Sequence, residues 1–147
     1  MCSIHFVNRF FGACLAGLLM LALAGCGSSG PKIVSISGTV TRGGNPVKDL
    51  TINFVPEGGR PSWATTAADG SYTLHYTRDQ DGACVGKHKV WVVYDPPPAD
   101  PAAEMARMDG HFDMPPDIKA IVTKYSEGSS PLEFDIQESQ TIDLKLD

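Results

Sequence analysis

Apolar and polar residues alternate along most of the chain after residue 32. In the first such stretch, Val34, Ile36 and Val40 recur at every second position, with Gly38 in the remaining apolar position. Alternate residues of a strand point to opposite faces of a sheet, so this pattern predicts strands with one buried face. Residues 87–94 have apolar side chains on both faces, which predicts a central or doubly covered strand. Strands are predicted at residues 33–41, 50–54, 63–67, 72–77, 87–94, 132–136 and 141–146.

Glycine, proline and asparagine interrupt the alternation between these segments. Residues 42–46 and 56–59 are predicted turns, because Gly and Asn tolerate positive φ and Pro fixes its own φ. Asp69-Gly70 predicts a hairpin turn before the strand at 72–77. Short strands with this spacing predict an all-β fold, a seven-stranded Greek-key β-sandwich.

Regular alternation stops after Tyr94. Asp100-Pro101 predicts an N-cap followed by Pro at the first position of a short helix, which runs through Met108. The Met-Pro-Pro sequence at residues 114–116 predicts another break. Residues 95–120 are therefore predicted to be a long Pro-rich loop that contains a short helix. Such a loop is usually either functional or disordered, and the sequence leaves both open.

The N-terminal segment differs in composition from the rest of the chain. Residues 10–24 form an uncharged apolar run, which has the length of a signal-peptide h-region and is short for a membrane-spanning helix. The run ends in Leu23-Ala24-Gly25-Cys26, which closely resembles the lipobox of bacterial lipoproteins. That resemblance implies cleavage after Gly25, a diacylglycerol on Cys26, and a membrane anchor at the outer membrane or facing the periplasm. An uncleaved anchor helix is the alternative.

This reasoning divides the chain into a cleaved signal peptide (residues 1–25), a lipidated Cys with a flexible Gly/Ser tether (26–32) and a folded domain (33–147). Five segments of the domain look like carboxypeptidase regulatory-like domains: residues 37–41, 43–47, 52–56, 66–74 and 85–90. The resemblance implies a transthyretin-like (prealbumin-like) sandwich. It says little about function, because domains of this kind are accessory or of unknown role.

Charge and cysteine content exclude several classes of function. The chain has 147 residues and a formal net charge of −5. Its Lys and Arg residues are scattered, whereas phosphate neutralisation needs them grouped, so a nucleic acid partner is excluded. Cys84 is the only cysteine in residues 33–147, which excludes a disulfide framework there. We expect it to be a small buried side chain.

Two constellations of polar residues could carry chemistry. Asp109, His111 and Asp113 alternate in the Pro-rich loop, and two carboxylates with one imidazole could hold a divalent cation. A solvated acidic loop is the favoured interpretation, and no cofactor is predicted beyond the covalent lipid. A hydrolase would need a Ser and an Asp with His75 or His88, but the sequence has no Gly-x-Ser-x-Gly elbow.

Exposed aromatic residues are the remaining candidates. Most aromatics should lie in the core, but Trp63 follows a loop, and Trp91 lies opposite the main apolar face of its strand. These two, with His111, are the candidate ligand contacts. The favoured hypothesis is a non-enzymatic, lipid-anchored structural or interaction module with an envelope protein or glycan partner. The alternative is a module that binds envelope glycan or peptide through residues 95–120 and exposed aromatics, and a hydrolase is third.

Overall fold

Residues 30–109 and 114–147 are described in the computed structural model. The predicted signal peptide and Cys26 lie outside the described residues, as do His111 and Asp113, so the expectations about them stay predictions. Strands make up 44% and helices 15% of the described residues, in agreement with the predicted all-β class. Within these ranges no helix is long and apolar enough to cross a membrane.

Every segment predicted to be extended contains a strand. The strands are β1 (Ile33–Val34), β2 (Ile36–Arg42), β3 (Asn45–Pro46), β4 (Leu50–Pro56), β5 (Ser62–Thr65), β6 (Ser71–Thr73), β7 (His75–Thr77), β8 (Gln80–Asp81), β9 (Ala83–Cys84), β10 (Gly86–Tyr94), β11 (Leu132–Ile136), β12 (Gln140–Thr141) and β13 (Leu144–Lys145). The helices are α1 (Pro101–Met108) and α2 (Pro116–Lys124). The predicted strands at 33–41, 72–77 and 141–146 are each divided into two.

Most of these strands form two sheets. The first is a six-stranded antiparallel sheet in the order β11-β10-β4-β5-β7-β8. The second is built around β2, which pairs antiparallel with β3 and β6 and parallel with β12 and β13. β1 and β9 form a separate antiparallel pair. The chain therefore has a sheet on either side of its core.

The predicted apolar face of each long strand is the buried one. In β4, Leu50, Ile52 and Phe54 are fully buried, whereas the residues between them are partly exposed. Val90 and Val92 are buried in the same way in β10. The alternation of apolar and polar residues thus predicted which side chains are buried. Further core side chains come from both sheets: Ile36, Val40, Tyr72, Leu74, Ile136, Leu144 and Leu146.

The segment predicted as one strand at 72–77 passes from one sheet to the other. β6 pairs with β2, whereas β7 pairs with β5. Leu74 lies between them, fully buried, and its amide donates to the carbonyl of Ile36. The Asp69-Gly70 turn is present, with Gly70 at φ 76°, but it leads into the second sheet and does not close a hairpin between β5 and β6. Tyr76 is consequently only half-buried.

The segment after Tyr94 is more regular than predicted. α1 begins as expected, since the Asp100 side chain accepts a hydrogen bond from the Ala103 amide and Pro occupies the first turn. Residues 114 and 115 are not helical, as expected, but the helix that follows was not predicted: α2 starts with Pro116 in its first turn, where a missing N–H costs nothing. Ile121 of α2 is buried in the core.

β10 is an internal strand, flanked by β4 and β11, as its apolar residues predicted. Of the two alternatives, the central strand is the one observed, because the outer face of β10 is not fully covered. Trp91 is partly exposed there, and 37% of Val93 is exposed. The outer face of the six-stranded sheet is therefore a surface that carries large apolar side chains.

Candidate binding face of the six-stranded sheet

Five residues form one line across the outer face of the six-stranded sheet. Trp91 on β10 lies opposite Asn53 on β4, and Asn53 lies opposite Trp63 on β5. The line continues from Trp63 to His75 on β7 and from His75 to Asp81 on β8. Directly opposed residues of an antiparallel pair project to the same side. We call these five residues the aromatic row.

The buried neighbours of each tryptophan place it on the outer face. On β5, Ser62 and Ala64 point inward and are 0% and 2% exposed, so Trp63 between them points outward. Its side chain is among the exposed large apolar groups, with 41% of the residue accessible. Trp91 is half-buried, on the face opposite the buried valines of β10. The sequence-based expectation that these two residues lie outside the core is confirmed.

The spacing of the two tryptophans suits a ligand made of repeated rings. They lie two strands apart, which corresponds to roughly 10 Å. Asn53 lies between them, and its amide offers both donors and an acceptor. A pyranose ring is about as wide as one strand spacing. Two sugar rings could therefore stack on the indoles while a third, between them, exchanges hydrogen bonds with Asn53.

The other end of the row is polar. The rings of Trp63 and His75 are in contact, with centroids 5.3 Å apart and planes tilted by 53°. The His75 Nδ1 atom lies 2.6 Å from Oδ1 of Asp81. Because a carboxylate oxygen accepts, Nδ1 carries the hydrogen, which fixes the ring orientation. His75 thus has Nε2 left for a ligand hydroxyl beside the exposed indole of Trp63.

A second line of smaller residues runs beside the row. Val93 lies opposite Thr51, and Thr51 lies opposite Thr65, with the two threonine Oγ1 atoms 3.3 Å apart. On the other side of Trp91, Lys89 lies opposite Glu133 and Val55. The row is therefore flanked by an apolar and hydroxyl strip on one side and by charges of both signs on the other.

Other residues singled out from the sequence lie elsewhere. Asp109 is exposed at the C-cap of α1, and the two residues expected to complete a cation site with it, His111 and Asp113, lie outside the described residues. In the part of the chain that is described, no cluster of three or more His, Cys, Asp or Glu side chains could hold a metal ion. The cation site therefore stays a prediction.

Cys84 is buried, as predicted, and contacts His88. The His88 Nδ1 atom lies 2.9 Å from the carbonyl of Gly86, so Nδ1 carries the hydrogen, and Nε2 faces the Cys84 Sγ atom at 3.6 Å. His88 is only 1% exposed. Both ring nitrogens have internal partners, so the structure gives His88 no route to a bound substrate.

Burial lowers the pKa of His88, and this makes stability dependent on pH. Between the lowered pKa of the folded state and about 6.5, the unfolded chain binds the extra proton, so stability is full above about pH 6.5 and falls as the pH drops. We expect the urea midpoint to decrease from pH 7 to pH 5. In His88→Phe this decrease should be smaller, and equal slopes for both proteins would contradict the assignment.

No family model, curated protein or solved structure matches this chain. The role of the aromatic row therefore has to be inferred from its own geometry. Sequence reasoning found both tryptophans but missed Asn53, His75 and Asp81 as members of the same site. The positions of Asn53 and His75 on the polar faces of their strands were predictable, but the strand that carries Asp81 and the register that aligns the three residues were not.

Proposed function

We propose that this protein is a non-enzymatic, lipid-anchored module of the bacterial cell envelope that binds glycan through the aromatic row. The observation that carries the proposal is the alignment of Trp91, Asn53 and Trp63 on an open sheet face. The sequence alone favoured a structural or protein-interaction module. The row moves the preference to glycan binding, because it combines two apolar stacking surfaces with a polar group between them.

The location and family are part of the same proposal. The lipobox resemblance at Cys26 supports export and lipid attachment, and the segment resemblances support a carboxypeptidase regulatory-like domain with a transthyretin-like Greek-key topology. Two sheets around a common core are compatible with that topology. A module tethered by Gly and Ser residues would hold its outer face free to meet glycan close to the membrane.

The row offers the two kinds of interaction that a sugar chain uses. The C–H faces of pyranose rings are apolar and can cover the indole of Trp63, which is exposed, and that of Trp91, which is partly exposed. Hydroxyl groups at the ring edges can bond to the Asn53 amide and to His75. An extended peptide would need an open strand edge or deep side-chain pockets instead, and both tryptophans and Asn53 lie on internal strands.

Removal of an indole should abolish most of the binding. In isothermal titration of the full-length protein in detergent with a β-1,4-linked N-acetylglucosamine hexamer, Trp63→Ala should weaken affinity at least about tenfold, or about 1.4 kcal/mol. Trp91→Ala should also weaken it. Val93→Ala removes an exposed apolar side chain outside the row and should leave the affinity unchanged.

Two results would contradict the proposal. One is the absence of saturable binding by the unaltered protein to neutral glycans. The other is equal affinity of the unaltered protein and Trp63→Ala, which would place the binding elsewhere. Tight binding of an extended peptide by the same face would replace glycan by peptide as the ligand class.

A further inference from the structure

We propose that the ligand is an uncharged glycan long enough to continue past His75 into a hydroxyl-lined trough on the second sheet. This inference rests on the proposed function and adds the charge and the minimum length of the ligand. The trough has a volume of about 520 Å³ and borders His75. Its hydroxyl groups lie on β2 and on the strands paired with its two edges, β6 and β12: Ser37, Thr39, Ser71, Thr73 and Thr141.

The aromatic row and the trough are continuous because the chain changes sheets at Leu74. His75 is the fourth residue of the line that starts at Trp91, and Thr73, two residues earlier, projects to the same side of the chain. Thr73 lies opposite Ser37 of β2, and Ser37 lies opposite Thr141 of β12. One outer surface therefore runs from the first sheet around its edge to the second.

The chemistry of the trough favours neutral polyhydroxylated ligands. Hydroxyl groups both donate and accept, as sugar hydroxyls do, and no Lys or Arg is among the described residues that line the trough. Asp143 adds a negative charge there, since hydrogen bonds from the Thr39 hydroxyl and amide lower its pKa. An acidic glycan would meet this carboxylate, and Lys145, whose charge also lowers the pKa of Asp143, is not among the residues that line the trough.

The length of this path also sets the minimum length of the ligand. From Trp91 to His75 it crosses three strand spacings, from His75 to Thr73 it follows two residues of extended chain, and from Thr73 to Thr141 it crosses two more spacings, together roughly 31 Å. At about one sugar ring per strand spacing, about six rings are needed to use both parts. A dimer or trimer would occupy only the row between the two tryptophans.

A titration series tests this inference. With the full-length protein in detergent and β-1,4-linked N-acetylglucosamine oligomers of increasing length, affinity should rise beyond the trimer and level off at about six units. The double variant Ser37→Ala/Thr73→Val should weaken the binding of the hexamer at least about fivefold and leave the trimer unchanged. Ser35→Ala, which changes an exposed serine directly before β2 and outside the trough, is the matched control.

The outcomes separate this inference from the proposed function. Equal affinities for trimer and hexamer, with binding still lost in Trp63→Ala, would show that the trough does not bind the ligand. The proposal for the aromatic row would then still stand. A hexamer of galacturonic acid that binds as tightly as the neutral hexamer would contradict the inference that the ligand is uncharged. Failure of every oligomer to bind would overturn the proposed function, and the trough with it.

Discussion

Replacement of Gly38 by alanine should destabilise the domain by about 3 kcal/mol. A Cβ atom at this position would lie 1.9 Å from the carbonyl oxygen of Ile142 and 3.1 Å from the ring of Tyr72. The Tyr72 hydroxyl donates to that same carbonyl at 2.6 Å. The obstacle is backbone, so it cannot move aside as a flexible side chain would.

Urea unfolding at pH 7 measures this effect as a shift of the midpoint. Gly58→Ala is the matched control, because nothing lies within 4 Å of its Cβ position and the change should stay within about 0.5 kcal/mol. Equal midpoints for Gly38→Ala and Gly58→Ala would show that β2 does not approach the segment after β12 so closely. The position of Tyr72 would then need revision as well.

Replacement of Cys26 by alanine should abolish lipid attachment completely. The proposed anchor depends on acyl chains attached to this residue, each buried CH₂ contributing about 0.8 kcal/mol. Two or three acyl chains make attachment effectively permanent. Without Cys26 none of these chains can be attached, so the loss of lipid should be complete. The expected results are loss of labelled palmitate and accumulation of a longer precursor.

Cys14→Ala provides the control for this experiment, since it removes a cysteine of the same segment outside the lipobox resemblance. It should keep both palmitate labelling and processing. Continued labelling of Cys26→Ala would refute the lipid anchor. It would leave the binding proposal standing, because the aromatic row lies in the folded domain.

The burial pattern could be predicted from the sequence, but the choice of sheet could not. Ile52 and Phe54 are buried where the alternation placed them. The same alternation runs through Tyr72, Leu74 and Tyr76 without interruption, so no local signal marks the point where the chain leaves one sheet for the other. Only the contacts of Leu74 with β2 decide it. Pro116 was ambiguous for another reason, because Pro both ends and begins helices.

The candidate site was predictable one residue at a time and not as a site. Trp63 and Trp91 are separated by 27 intervening residues of sequence, and they share a line only because Asn53 lies opposite both. A shift of one residue in either pairing would turn an indole to the other face. Register is set by the turns and by packing across the whole sheet, which single-strand patterns do not contain.

The parallel neighbours of β2 come from the far end of the chain. The amide of Thr39 donates to the Asp143 carboxylate across a sequence separation of 104 residues. One edge of β2 must therefore stay unpaired until residues 140–145 have emerged, and closing so large a loop is slow. For the export that we propose, a second sheet that cannot be completed early would keep the chain in the unfolded state that transfer across a membrane requires.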